Sequence, residues 1–68
     1  MEIIYPKLAA ELKSRKIKLK DVEALLGISA KSLYNKLRGA TAFTWNEVSL
    51  IRNTWFADMS SDELFARG

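Results

Sequence analysis

Residues 19–39 read LKDVEALLGISAKSLYNKLRG, and this stretch decides the fold. Leu19, Val22, Leu25 and Leu26 recur at helical spacing, which predicts a helix over 19–26 with one apolar stripe. Gly27 follows where the carboxyl end of a helix needs a left-handed residue, a conformation glycine adopts without steric cost. Ile28 then plugs the corner, and Ser29 can cap a second helix through its hydroxyl. That second helix, Ala30–Arg38, places Ala30, Leu33, Tyr34 and Leu37 on one side and Lys31, Asn35 and Arg38 near the opposite side. Tyr34 and Leu37 are expected in the core, Tyr34 at the edge of the stripe with a phosphate contact through its hydroxyl as the alternative, and Gly39 stops the helix as another left-handed cap. A helix this short and polar-faced, held by the one before it, suits presentation to a partner.

Sixty-eight residues make one domain, 1–68, with a small core that must use nearly every large apolar residue. At 49% hydrophobic and 28% charged, the composition is that of a folded globular domain. No apolar run reaches membrane-spanning length, so no membrane partner is expected, and the amino end lacks a signal-peptide layout. Without cysteine there is no disulfide framework, and a cytoplasmic setting is the default. With no histidine or cysteine, the usual zinc ligands, the commonest general base and the thiol nucleophile are all missing. The carboxylates are scattered and no glycine-rich loop cradles phosphate. A metal, a cofactor, a small-molecule substrate and an enzymatic activity are therefore not expected.

The net charge of +3 is unevenly spread. Residues 1–40 hold nine Lys/Arg against four acids, a local excess of five cations, whereas residues 41–68 hold two against four. One basic half suits a protein that turns a single face toward a polyanion, although a lysine-rich solvated surface has the same composition.

With the glycine turn, the aliphatic positions and the charge in place, the stretch 19–39 resembles the helix-turn-helix of the phage repressor and Cro-like family. The resemblance covers roughly residues 7–66. It implies an all-α fold of five short helices, a lambda-repressor-like DNA-binding domain with helices two and three as the motif. The third helix is then the recognition helix, and Ala30, Lys31, Ser32 and Asn35 match the family's base-reading positions. The chemistry agrees: Asn pairs bidentately with adenine, Lys with guanine, and Ala meets a thymine methyl. Alone, Asn35 would read as a solvent-facing polar residue. Expected phosphate contacts are Lys18, Lys20, Lys36, Arg38, Thr41 and Thr44. Within the basic cluster Lys13, Arg15, Lys16, Lys18 and Lys20, the last two are preferred, since the others also suit a helix carboxyl end. Three positions depart from the family pattern. Lys18 stands where a side-chain cap is usual, Glu23 where a small residue is, and Lys36 where an apolar one is, its packing passed to Leu37.

Elsewhere the chain supplies framing helices. Met1–Tyr5 is a short lead, Pro6 opens a first helix that carries Leu8, Ala9 and Leu12 to about Arg15, and Ile17 is the next anchor. After a loop over 40–44, Thr44 and Glu47 have capping-box spacing and Phe43 with Val48 makes a staple. Trp45, Val48, Ile51 and Trp55 line one face of the fourth helix and are read as core. FTWNEVSLI resembles the F-T-x-x-E segment of Cro-like proteins from mobile elements, and the first amides of this helix offer a phosphate site. Ser60 with Glu63 and Met59 with Leu64 repeat both devices before a short fifth helix, after which FARG is expected to fray.

One recognition helix reads few base pairs, so a homodimer on a two-fold operator in double-stranded DNA is expected, joined through Trp55, Phe56, Met59 and Phe65; the alternative is that these side chains all fill the core of the monomer. The resemblance places such a regulator, most simply a repressor, in the cytoplasm of a bacterial cell or phage-infected host. Met1 and the Cro-like length favour a whole protein. The competing reading is a protein-interaction module, such as an antirepressor, which should expose an apolar or aromatic anchor.

Overall fold

The computed structural model describes residues 3–68, so Met1 and Glu2 of the lead lie outside the described residues. The architecture is five short helices in chain order: α1 Pro6–Ser14, α2 Leu19–Leu26, α3 Ala30–Leu37, α4 Trp45–Trp55 and α5 Ser61–Leu64. No strand occurs among the described residues, nor is any helix long and apolar enough to cross a membrane.

Local chemistry sets most helix boundaries. Pro6 occupies the first turn of α1. Gly27 closes α2 at φ 66°, its N–H and that of Ile28 both donating to the Glu23 carbonyl at 2.8 and 3.2 Å. Ser29, Thr44 and Ser60 cap α3, α4 and α5, each oxygen accepting an N–H three residues on at 3.1 Å. Glu47 and Glu63 complete two capping boxes. At Lys18 the ammonium has no lone pair to offer. There the Asp21 carboxylate accepts the Lys18 N–H at 3.2 Å, so α2 keeps half of such a box. Lys16 ends α1 with φ 57°, a left-handed lysine where glycine would be strain-free.

α2 packs on α3 and α4, and α5 closes the bundle against α4 and α1. Leu8, Leu12, Val22, Leu33, Leu37, Ile51 and Leu64 fill the interior as their spacing predicts. Tyr5, Phe56 and Met59 join them. Tyr5 is no mere lead: its ring lies 5.7 Å from Phe43 and 5.6 Å from Phe65, and Phe43 and Phe65 are 5.3 Å apart. This aromatic triad, edge-to-face at Phe65 and tilted between Tyr5 and Phe43, gathers the amino end, the loop before α4 and the carboxyl end. The last residues are tied rather than frayed, with Gly68 N–H donating to the Ile4 carbonyl at 3.1 Å. The Ile4 N–H in turn donates to the Leu37 carbonyl at 2.9 Å.

Three expectations about burial are corrected. Trp45 is 71% exposed, because as the first residue of α4 it precedes the turn that contacts the core. Tyr34 is 42% exposed on the rim of α3, where the Arg38 guanidinium covers its ring at 5.4 Å. Phe56 and Met59 are only 0% and 9% exposed, so neither can belong to a dimer surface while the fold persists.

Two arginines hold the α4–α5 loop that buries those side chains. Arg15 pairs with Glu11 at 3.1 Å and Asp58 at 3.0 Å, donates to the Trp55 carbonyl, and lies 4.7 Å over the Phe56 ring. Its hydrogen bonds hold the Asp58 carboxyl below its ordinary value. Arg52 donates to the Met59 carbonyl at 2.7 Å from the other side.

Candidate nucleic-acid interface

The candidate site begins at the cap of α3. Ser29 fixes the first turn, leaving Ala30 and Lys31 exposed, while Ser32 and Asn35 are half-buried. Lys31, Tyr34, Asn35 and Arg38 follow at i, i+3, i+4 and i+7 and so share one outward stripe. Leu33 and Leu37, on the opposite side, are buried and hold the helix against the bundle. The polar stripe and the buried stripe therefore belong to one rigid element.

The last turn of α3 is ordered by its own side chains. Arg38 Nε donates to Asn35 Oδ1 at 3.3 Å, and the Arg38 guanidinium lies over Tyr34. The Asn35 backbone carbonyl accepts the Ala40 and Thr41 N–H groups at 2.9 and 3.2 Å, which fixes where the chain leaves the helix. Tyr34, expected in the core with a phosphate contact as the alternative, stands on the exposed stripe with its ring against Arg38. Its i, i+4 spacing to Arg38, ideal for stacking, was the available signal.

Of the expected phosphate contacts, Lys18 and Lys20 are exposed at the amino end of α2. Among the described residues no ion pair engages Lys18, Lys20 or Lys31. Lys36 behaves differently. Its ammonium lies 3.0 Å from Glu47 Oε1 and donates to the Ala42 carbonyl at 3.2 Å, above the Phe43 ring at 5.9 Å. It is a strut between α3 and α4, so the ammonium expected at a phosphate is already engaged within the fold. Arg15 is likewise engaged, by Asp58 and Glu11 at the surface.

Thr41 and Thr44 are exposed, but several nearby donors are spent. Thr41 N–H serves Asn35, and Thr44 N–H donates to Glu47 Oε1 at 2.8 Å. Glu47 N–H is taken by Thr44 Oγ1. The capping box thus consumes two of the amides expected to meet a phosphate, leaving those of Trp45 and Asn46. Burial alone would raise the Glu47 carboxyl pKa, yet the Thr44 amide and the Lys36 ammonium together hold it below its ordinary value.

No family model, curated protein or solved structure matches this chain. What the chain presents is therefore weighed on its own chemistry. The outward stripe of α3 offers hydrogen-bond donors, two cations and one aromatic ring on a short helix backed by buried leucines. Among the described residues the other large exposed apolar side chains are Trp45, at the start of α4, and Leu50, 42% exposed and over a turn further on.

Proposed function

We propose that this chain is a sequence-specific double-stranded DNA-binding protein of Cro/phage-repressor type, acting as a small transcriptional regulator. One observation carries this reading: α3 turns Lys31, Tyr34, Asn35 and Arg38 outward on a rigid, capped helix behind the tight turn at Gly27. A helix so mounted fits the major groove, where its amino-terminal residues reach base edges. Lys18 and Lys20 on α2 and Lys31 on α3 neutralise phosphates and supply affinity through counterion release. Asn35, with Ala30, Lys31 and Ser32, supplies discrimination. Binding needs no cofactor, and the protein acts by occupancy rather than turnover.

A homodimer on a two-fold site gives such a short reading head enough specificity. With Phe56 and Met59 interior, only the half-buried Trp55 and Phe65 of the expected surface remain for it.

The second reading, a protein-interaction module, is favoured by Trp45, a large exposed aromatic of the kind that anchors protein interfaces. One experiment separates the two. Wild type and Asn35→Ala are each used to select from a randomised duplex library, and the winners are titrated at two salt concentrations. A consensus with wild type that relaxes at one position in Asn35→Ala is expected. Weak binding without consensus, lost uniformly as salt rises, rejects the DNA reading. The protein-partner reading, with Trp45→Ala as its probe, then replaces it.

A further inference from the structure

The amide of Asn35 is oriented by a neighbouring side chain. Its Oδ1 accepts the Arg38 Nε–H at 3.3 Å, and Arg38 is itself steadied by the Tyr34 ring 5.4 Å from its guanidinium carbon. Arg38 is also fixed in backbone, its N–H donating to the Tyr34 carbonyl at 3.1 Å. With the oxygen turned to Arg38, the amide nitrogen is the group Asn35 offers outward. On the same stripe Lys31 lies one turn earlier and Arg38 one turn later, and both side chains carry donors only. Adenine's major-groove edge needs an acceptor for its N6 amine as well as a donor for N7, and the bidentate pair with asparagine uses both ends of the amide. Here one of the two lone pairs of Oδ1 is taken, and the guanidinium beside it repels a second N–H that approaches the other.

From this geometry we infer that Asn35 reads a base edge that shows acceptors alone, guanine N7/O6 or thymine O4, and rejects adenine. Arg38 is the positioning residue that sets this choice by holding the amide. The inference rests on the DNA reading above and adds to it the identity of the base. It also makes Tyr34 part of the specificity apparatus without requiring that it touch DNA, because the ring limits the rotamers of Arg38.

The test starts from the consensus position that Asn35→Ala relaxes. Duplexes carrying each of the four bases there are titrated with wild type, Arg38→Ala, Tyr34→Leu and Asn35→Asp. Folding of each variant is checked by circular dichroism, and all three altered side chains lie outside the core. Wild type should favour guanine or thymine over adenine by about tenfold, the usual worth of a good base contact. Replacing guanine with 7-deazaguanine distinguishes the two, since only a guanine reader using N7 loses affinity. Arg38→Ala weakens binding to every duplex but should also cut the preference against adenine several-fold, an effect that loss of a phosphate contact does not produce. Tyr34→Leu should move the same ratio part of the way. Asn35→Asp, an acceptor only, should shift the preference toward cytosine, whose N4 amine donates. Adenine favoured by wild type, or a base ratio unmoved by Arg38→Ala, overturns the inference while leaving DNA binding intact. Absence of any consensus overturns both together.

Discussion

Replacing Lys36 by methionine separates a structural cation from a DNA-binding one. The ammonium and the Glu47 carboxylate are 3.0 Å apart, with side chains only 13% and 17% exposed. At an effective dielectric near 20, their gross attraction is roughly 5 kcal/mol. Sheltering both groups from water cancels most of this, and pairs between the exposed and buried limits retain a coupling of about 1–2 kcal/mol. Lys36→Met should therefore cost about 1–2 kcal/mol, which in a chain of this size lowers the melting midpoint by roughly 5–15 °C. The assay is urea denaturation of wild type, Lys36→Met, Glu47→Gln and the double variant at neutral pH, closed as a double-mutant cycle. Acid titration adds a second readout. A carboxyl held below its unfolded value stabilises the fold fully above that value, and the contribution is lost as pH falls through the folded one. Glu47 is such a group, so wild type should lose stability in acid below about pH 4.3 and Lys36→Met should lose less. The third readout belongs to the proposed DNA binding: with its ammonium engaged, Lys36 should leave the salt dependence of any such binding unchanged, whereas Lys31→Met should lower the slope by about one. A coupling under about 0.3 kcal/mol, or a salt slope reduced by Lys36→Met, would refute the strut and restore the residue to the interface.

The two glycines with positive φ should respond differently to alanine. At Gly27, φ +66°, an added Cβ meets no atom within 4 Å, so only the left-handed backbone is penalised, by about 1 kcal/mol. At Gly39, φ +86°, the same carbon falls 2.8 Å from Ile4 Cδ1, and the cost should reach about 2 kcal/mol. In an Ile4→Val background, which lacks that atom, the excess should disappear; equal losses at both glycines by urea denaturation would count against the described packing. Lys16→Gly relieves the left-handed lysine at φ 57° and should raise stability by about 0.5 kcal/mol once the greater freedom of unfolded glycine is subtracted. A lower denaturation midpoint would show that the lysine is not strained.

What was legible in the sequence is what local chemistry fixes. Gly27, Ser29, Thr44 and Ser60 act within a few residues of themselves, and the helices they bound are where their spacing places them. The aliphatic spacing likewise picked out Leu8, Leu12, Val22, Leu33, Leu37 and Ile51 as interior. Contacts across the fold were not legible. Tyr5 finds its partners at Phe43 and Phe65, so its own surroundings in sequence say nothing of burial. Trp45 fits the apolar period of α4 but lies at the helix's first position, where periodicity does not report burial. Phe56 and Met59 are drawn inside by a loop that Arg15 and Arg52 grip from two sides, an arrangement no pattern of apolar residues encodes. For Lys36 there was a faint signal: it flanks Leu37 on α3, close to the core, and a lysine so placed must find an anion. Glu47, already marked by its capping box, was the available one.

The bond from Gly68 to Ile4 makes the backbone a nearly closed circuit. In a circuit the order of the helices is cyclic, and any exposed turn can serve as its opening. A short bridge between the two ends and a cut in the exposed turn over 40–42 would place α4 first and α3 last, with the same five helices on the same neighbours. The helix proposed to read DNA would then lie next to a free chain end, while the new covalent link would join the segments of Tyr5 and Phe65 and leave Phe43 near the new amino end. In this sense the position of α3 in the fold is independent of its position in the chain.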